Sequence, residues 1–210
     1  MKTRFLKSNN GFTLIETMVA VFILTLALTT FLSLNANSLF SSRYARNEVT
    51  ANYLIQEAAD YIRNDRDNTA FLRNDPSTDT GWVDFLNKYG YNNGSAPNTC
   101  FASFTSNDGC YFEVADSNPF ISSCSVSPDF GTARCPTLYY DDAATNKDFY
   151  TYHAGSGLYP QSAFKRQILM QVPASNPDEL DVKITVEWKN GTIVRSRSLV
   201  ISLLNWQKNP

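Results

Sequence analysis

One carboxylate, Glu16, stands inside the most apolar run of the chain, and four cysteines stand far downstream of it. These are the residues whose type and placement carry chemistry. The run is Phe12–Leu34, FTLIETMVAVFILTLALTTFLSL, and Glu16 is its only charge. A carboxylate in such a run costs about 2.5–3.5 kcal/mol on membrane-insertion scales, so it marks a functional position that needs a cationic partner. The cysteines are Cys100, Cys110, Cys124 and Cys135. They lack the C-x2-C knuckle of a zinc site, and the only histidine is His153, so disulfides are expected and a metal is not. Pairing neighbours, Cys100 with Cys110 and Cys124 with Cys135, closes the shortest loops at the least entropic cost.

Other chemistry has little to build on. The chain has no G-x-S-x-G, P-loop, H-E-x-x-H or dinucleotide fingerprint, so neither an enzyme nor a cofactor is expected. Asn64–Asn68, NDRDN, fails as a calcium loop because Ala70 replaces the required Gly and Pro76 the closing Glu. The precursor has a net charge of −2; removing Lys2, Arg4 and Lys7 leaves 15 basic against 20 acidic residues, or −5. A mildly acidic chain with no basic block does not advertise nucleic acid as a partner.

The elements that position Glu16 follow from its flanks. Residues 1–11 are basic and without acid, and Phe12–Leu34 is long enough as a helix to cross a bilayer. The basic leader stays cytoplasmic and the rest is exported. A secretory signal peptide has a shorter apolar core and a small-x-small cleavage site. Leu34-Asn35-Ala36 is a poor site, and a plain anchor leaves Glu16 unexplained.

The hexapeptide Gly11-Phe12-Thr13-Leu14-Ile15-Glu16 resembles the prepilin signature of type IV pilins and type II secretion pseudopilins. The resemblance implies cleavage after Gly11 by a prepilin peptidase, which also methylates the new Phe12 amine. It implies assembly with other pilin subunits through an inner-membrane platform, with Glu16 pairing to an N-terminal amine. The subunit would begin as a single-pass cytoplasmic-membrane precursor in contact with lipid, its head exported, and end in a cell-surface filament. Many major pilins carry Pro and Gly in the membrane half of the helix. This chain has neither between Phe12 and Leu34, which favours a minor pilin or pseudopilin. Ala51–Asn68, Trp82–Leu86, Gly109–Phe112 and Leu204–Gln207 look like pilin-like proteins of reduced-genome candidate-phylum bacteria. An uncleaved single-span surface adhesin is the alternative of a different class.

The expected fold is α+β. Residues 12–34 form the membrane and assembly half of one long helix, and 35–66 its amphipathic half, with Ala51, Leu54, Ile55, Ala58 and Ile62 on one face. The polar stretch from Asn64 ends it. Residues 67–210 form the head. Thr80–Tyr89 reads as a short helix closed by Gly90. Residues 91–158 are loop-rich and stapled by the cysteines, with Cys110–Val114 and Phe149–His153 as candidate strands. The tyrosines Tyr139, Tyr140, Tyr150, Tyr152 and Tyr159 read as loop packing over the sheet. Residues 164–204 carry the clear sheet: Phe164, Ile168, Met170 and Val172 alternate, as do Leu180, Val182, Ile184, Val186 and Trp188. Lys189-Asn190-Gly191-Thr192 is a hairpin turn that places Val186 opposite Arg195 or Val194. Val182, Ile184 and Val186 are expected to pack on the helix face.

Overall fold

The computed structural model describes residues 11, 13–72, 80–91, 100–113, 120–125, 130–131, 133–141, 149–152 and 161–206. Two units emerge, Met1–Arg46 and Asn47–Pro210. Helix α1, Leu14–Leu72, begins in the first and ends in the second. No Pro or Gly interrupts it. Its part in the first unit bears exposed apolar side chains, Leu14, Met18, Phe22 and Phe31 among them. The hydroxyls of Thr17, Thr25, Thr29 and Thr30 each donate to the carbonyl three residues back, at 2.8–2.9 Å. That self-satisfaction removes the polar cost of threonine in a helix apolar enough to cross a membrane.

In the second unit α1 runs past the polar stretch to Leu72, not stopping near Asn64. The reason is tertiary: Asp65 accepts hydrogen bonds from Lys88 Nζ and from the Tyr89 hydroxyl. Asp65 is held by the last residue of a second helix and the residue after it, so its side chain does not compete with the backbone of its own helix. That second helix is α2, Thr80–Lys88, which buries Trp82, Phe85 and Leu86. It ends as expected at Gly90, whose φ is +89°. Tyr91 N–H bonds Leu86 O at 3.1 Å and Gly90 N–H bonds Asn87 O at 3.0 Å, the two bonds of a Schellman cap.

Seven described strands form one antiparallel sheet: β1 Cys110–Phe112, β2 Ile121–Ser123, β3 Thr137–Asp141, β4 Phe149–Thr151, β5 Gln161–Gln171, β6 Glu179–Asn190 and β7 Ile193–Leu204. β5 is the hub. It pairs β6 along one side and both β1 and β3 along the other; β7 flanks β6, β4 flanks β3 and β2 flanks β1. The stapled region thus contributes four strands. Tyr139, Tyr140 and Tyr150 are strand residues, not loop packing; Tyr159 and His153 lie outside the described residues.

The even-numbered face of β5 and β6 builds the core. Phe164, Ile168 and Met170 join Leu180, Val182, Ile184, Val186 and Trp188 in one cluster with Ala51, Leu54, Ile55, Ala58 and Ile62 of α1. The odd face of β5 is buried as well, and every residue from Phe164 to Met170 is shielded. Lys165 Nζ lies 5.1 Å from the Phe130 ring centre. Gln167 donates to the carbonyls of Ser106 and Asp108. Gly109, at φ +111°, lies so close that a Cβ would meet Ile168 O at 2.6 Å. The loops of the disulfide-bearing region around Ser106–Gly109 and Phe130 therefore form an outer layer over the odd-numbered face of β5, while β1 to β4 of the same region continue the sheet itself.

The β6–β7 hairpin takes neither expected register. Asn190 pairs Ile193 and Val186 pairs Arg197, so Gly191 and Thr192 form the loop, with Gly191 at φ +65°. The shift sets Leu199, Ile201 and Leu203 opposite Ile184, Val182 and Leu180. It also brings the Arg197 guanidinium to Glu48 on α1. Matching of apolar side chains along the whole strand outweighs the local preference of Asn-Gly for the two loop positions.

Candidate assembly and processing segment

Gly11 is exposed at the start of the described chain, and Phe12 lies outside the described residues, so its pairing with Glu16 is not seen. The helix starts at a cap. Thr13 O accepts from the N–H groups of Glu16 and Thr17 at 3.1 and 3.2 Å, and Thr13 Oγ1 accepts from Glu16 N–H at 3.3 Å. Thr13 is the N-cap and Glu16 the third helical residue, the T-x-x-E arrangement of a capping box. Thr13 was readable in the sequence as a cap and is missing from the expected site. Glu16 is exposed in the first turn, where the positive end of the helix dipole favours a carboxylate. Around it Leu14, Ile15, Met18 and Val19 are between 50% and 78% exposed. The geometry is one acid, held at a fixed helical position on an otherwise apolar surface.

The four cysteines lie in the other unit. Cys100 is bonded to Cys110 and Cys124 to Cys135, with Cα atoms 4.6 and 4.3 Å apart, and no cysteine is free. Their role is structural. Cys100 O accepts from Met170 N–H at 2.8 Å, and Cys124 N–H donates to Gly109 O at 2.8 Å, so each bridge ties the outer layer to the sheet or to itself. Among the described residues no group of three His, Cys, Asp or Glu is placed to hold a metal.

A polar group in the core was not foreseen. Arg166, 1% exposed, projects from β5 toward α1 and bonds Glu57 Oε2 at 2.6 Å, Leu54 O at 3.2 Å and Phe112 O at 3.3 Å. Its guanidinium lies 5.5 Å from the Phe112 ring and 5.9 Å from the Tyr152 ring. The buried Glu113 accepts from the Thr151 hydroxyl and from Tyr152 N–H, both at 2.6 Å. Burial pushes the Tyr152 phenol up to about 12, against the opposing pull of Arg166. Burial likewise raises Tyr89 well above its ordinary value, with Asp65 adding to it. Arg166 joins helix to sheet, Glu113 joins strand ends and Tyr89 joins α1 to the end of α2; they do not converge on an open site.

The prokaryotic N-terminal methylation motif matches residues 6–32. The N-terminal segment is prepilin-like. The match covers Gly11, Thr13 and Glu16 and ends within the apolar run, so it describes the first unit and leaves the second to the fold. That fold, a long apolar helix ahead of an antiparallel sheet, is α+β and type IV pilin-like. The helix and motif are consistent with membrane anchoring, and the motif is of the kind carried by type IV pilins and pseudopilins. No curated protein and no solved structure matches the chain.

Proposed function

We propose that this chain is a minor structural subunit of a type IV pilus. A prepilin peptidase cleaves it after Gly11 and methylates the Phe12 amine. The mature subunit waits in the cytoplasmic membrane with its head exported, then enters a cell-surface filament through an inner-membrane platform by helix packing against other pilin subunits. The observation that carries this reading is Glu16: one capped, exposed carboxylate on an apolar helix, within the N-terminal methylation motif. Cleavage creates a cation one helical turn from it, and a neighbouring copy offers the same cation. In a dry bundle each charge needs the other.

The same features serve a type II secretion pseudopilin, and a membrane half without Pro or Gly favours that second reading over a major pilin. The uncleaved adhesin differs from both at one point, since it retains residues 1–11. Intact-mass analysis of the protein from native membranes or filaments is the test. A chain beginning at Phe12 with one added methyl group is expected. An intact Met1 terminus on surface-exposed material refutes the proposal.

A further inference from the structure

The two lateral sides of the sheet differ in kind. β7 forms one side, and among the described residues it pairs only with β6, through twelve unbroken residue pairs. Natural edge strands are blunted by proline, bulges, charged side chains or short length. β7 is long, without proline or a bulge against β6, and nearly all of it is exposed, so its arginines are the one such device it carries. Its charges are Arg195 and Arg197, with no acid. On the opposite side, beside β4, a groove of about 400 Å³ opens between α1 and the sheet. Its walls carry the carboxylates of Glu57 and Asp60 and the rings of Tyr53 and Tyr150. Thr50, Tyr53, Glu57 and Asp60 follow one another at spacings of three and four, so a single stripe of α1 supplies one wall.

The symmetry of a filament says which surfaces can meet. Copies drawn from one membrane into one filament keep the same polarity. Two β7 edges cannot then face each other across a two-fold axis, and the contact must be heterologous, one surface against a different one. The chemistry matches: a guanidinium suits both a carboxylate and an aromatic face. Glu57 already holds Arg166 and Asp60 already holds Arg63. A carboxylate offers about four lone-pair sites, so each accepts a second donor.

We propose that β7 of one copy docks against the α1–β4 groove of the next, with Arg195 set among Glu57, Asp60, Tyr53 and Tyr150. This rests on the filament reading above. The test uses the full chain in cells that assemble it. Tyr53, 67% exposed, is replaced by the photo-cross-linker p-benzoylphenylalanine, and in a parallel strain Phe22 is replaced in the apolar helix. The expected result is a covalent dimer from each. Peptide mapping of the Tyr53 product should join it to the Ile193–Leu204 segment of a second copy. Dimers from Phe22, with Tyr53 joined elsewhere or to another protein, overturn the docking proposal and leave the filament reading intact. Dimers from neither site count against the filament itself. As an independent measure, Arg195→Glu should lower filament yield at least tenfold, and adding Asp60→Arg should restore much of it. Wild-type yield for Arg195→Glu alone overturns the assignment.

Discussion

Replacing Glu57 by glutamine removes one charge from beside a guanidinium that has nowhere else to go. Arg166 is 1% exposed, while the side chain of Glu57 is 31% exposed and 2.6 Å away. Breaking a fully buried pair costs about 3–5 kcal/mol, because the remaining ion keeps its desolvation penalty. Here one partner reaches water, and Arg166 keeps the carbonyls of Leu54 and Phe112. The amide oxygen also still accepts a bond, without the charge assistance. About 2 kcal/mol is then the expected loss, which for a chain of this size lowers the melting temperature by roughly 4–8 °C. Arg166→Met takes away the buried charge itself and fills much of the same volume. The double variant should therefore be more stable than Glu57→Gln alone, since the penalty belongs to the orphaned ion. The assay is thermal unfolding of the full chain in detergent, followed by tryptophan fluorescence, for wild type, both singles and the double. If Glu57→Gln melts with the wild type, or if the two losses simply add, the guanidinium does not depend on the carboxylate and the argument is refuted.

Further outcomes follow from the same layers. Ile184→Asp puts an unpaired charge into a site of 0% exposure between sheet and helix and should unfold the head, whereas Lys183→Asp, on the other face, loses only the bond from Nζ to Phe104 O, worth about 1 kcal/mol; equal melting temperatures would show the faces to be misassigned. The Tyr152 phenol, raised to about 12 from 10.0, contributes stability that is complete below pH 10 and lost as pH climbs through 12. The loss is about 2–3 kcal/mol, and alkaline titration of Tyr152→Phe should show a shallower decline over that window. Glu16→Ala should give a processed, membrane-bound subunit that is missing from sheared filaments, with Gln behaving like Ala and Asp rescuing in part; filament entry of the Ala variant at wild-type level removes the pairing role.

How much could be read in advance depended on how local the signal was. β6 was legible because its even-numbered face is buried and the other only partly, so alternation survives in the letters; β7 is nearly all exposed, and its register, inferred from the turn alone, was misplaced. β5 was legible as a strand with Phe164, Ile168 and Met170 on the core face, but the burial of its other face, Lys165 and Gln167 beside Leu169, was not. Alternation cannot show a second layer. β2 and β3 were hidden for another reason: they are strands of three and five residues whose places come from pairing with β1 and β5 and not from their own composition. α1 overran its expected end because the partners that hold Asp65, Lys88 at the end of α2 and Tyr89 just after it, lie more than twenty residues away. Arg166 was passed over inside an apparent strand of apolar residues, since its partner Glu57 sits 109 residues earlier. Glu16 was legible through its isolation. Thr13 was equally local and was missed only because its value lies in the cap it makes.

That cap sharpens the case for Glu16. Thr13 and Glu16 both lie beyond Gly11, so the capping bond belongs to any chain that begins at Phe12. A carboxylate in the first turn gains about 0.3–1 kcal/mol from the helix dipole. At the centre of a membrane-spanning helix the same carboxylate costs about 2.5–3.5 kcal/mol, a depth it approaches as the helix packs among others. The helix N-terminus therefore offsets only a minor part of that cost. Capping alone does not require an acid either, since Thr13 supplies the bond to the backbone and a glutamine at position 16 completes the box as well as glutamate does. The negative charge is the part that capping leaves unexplained. A cation at the end of the same helix, or of its neighbour, accounts for it.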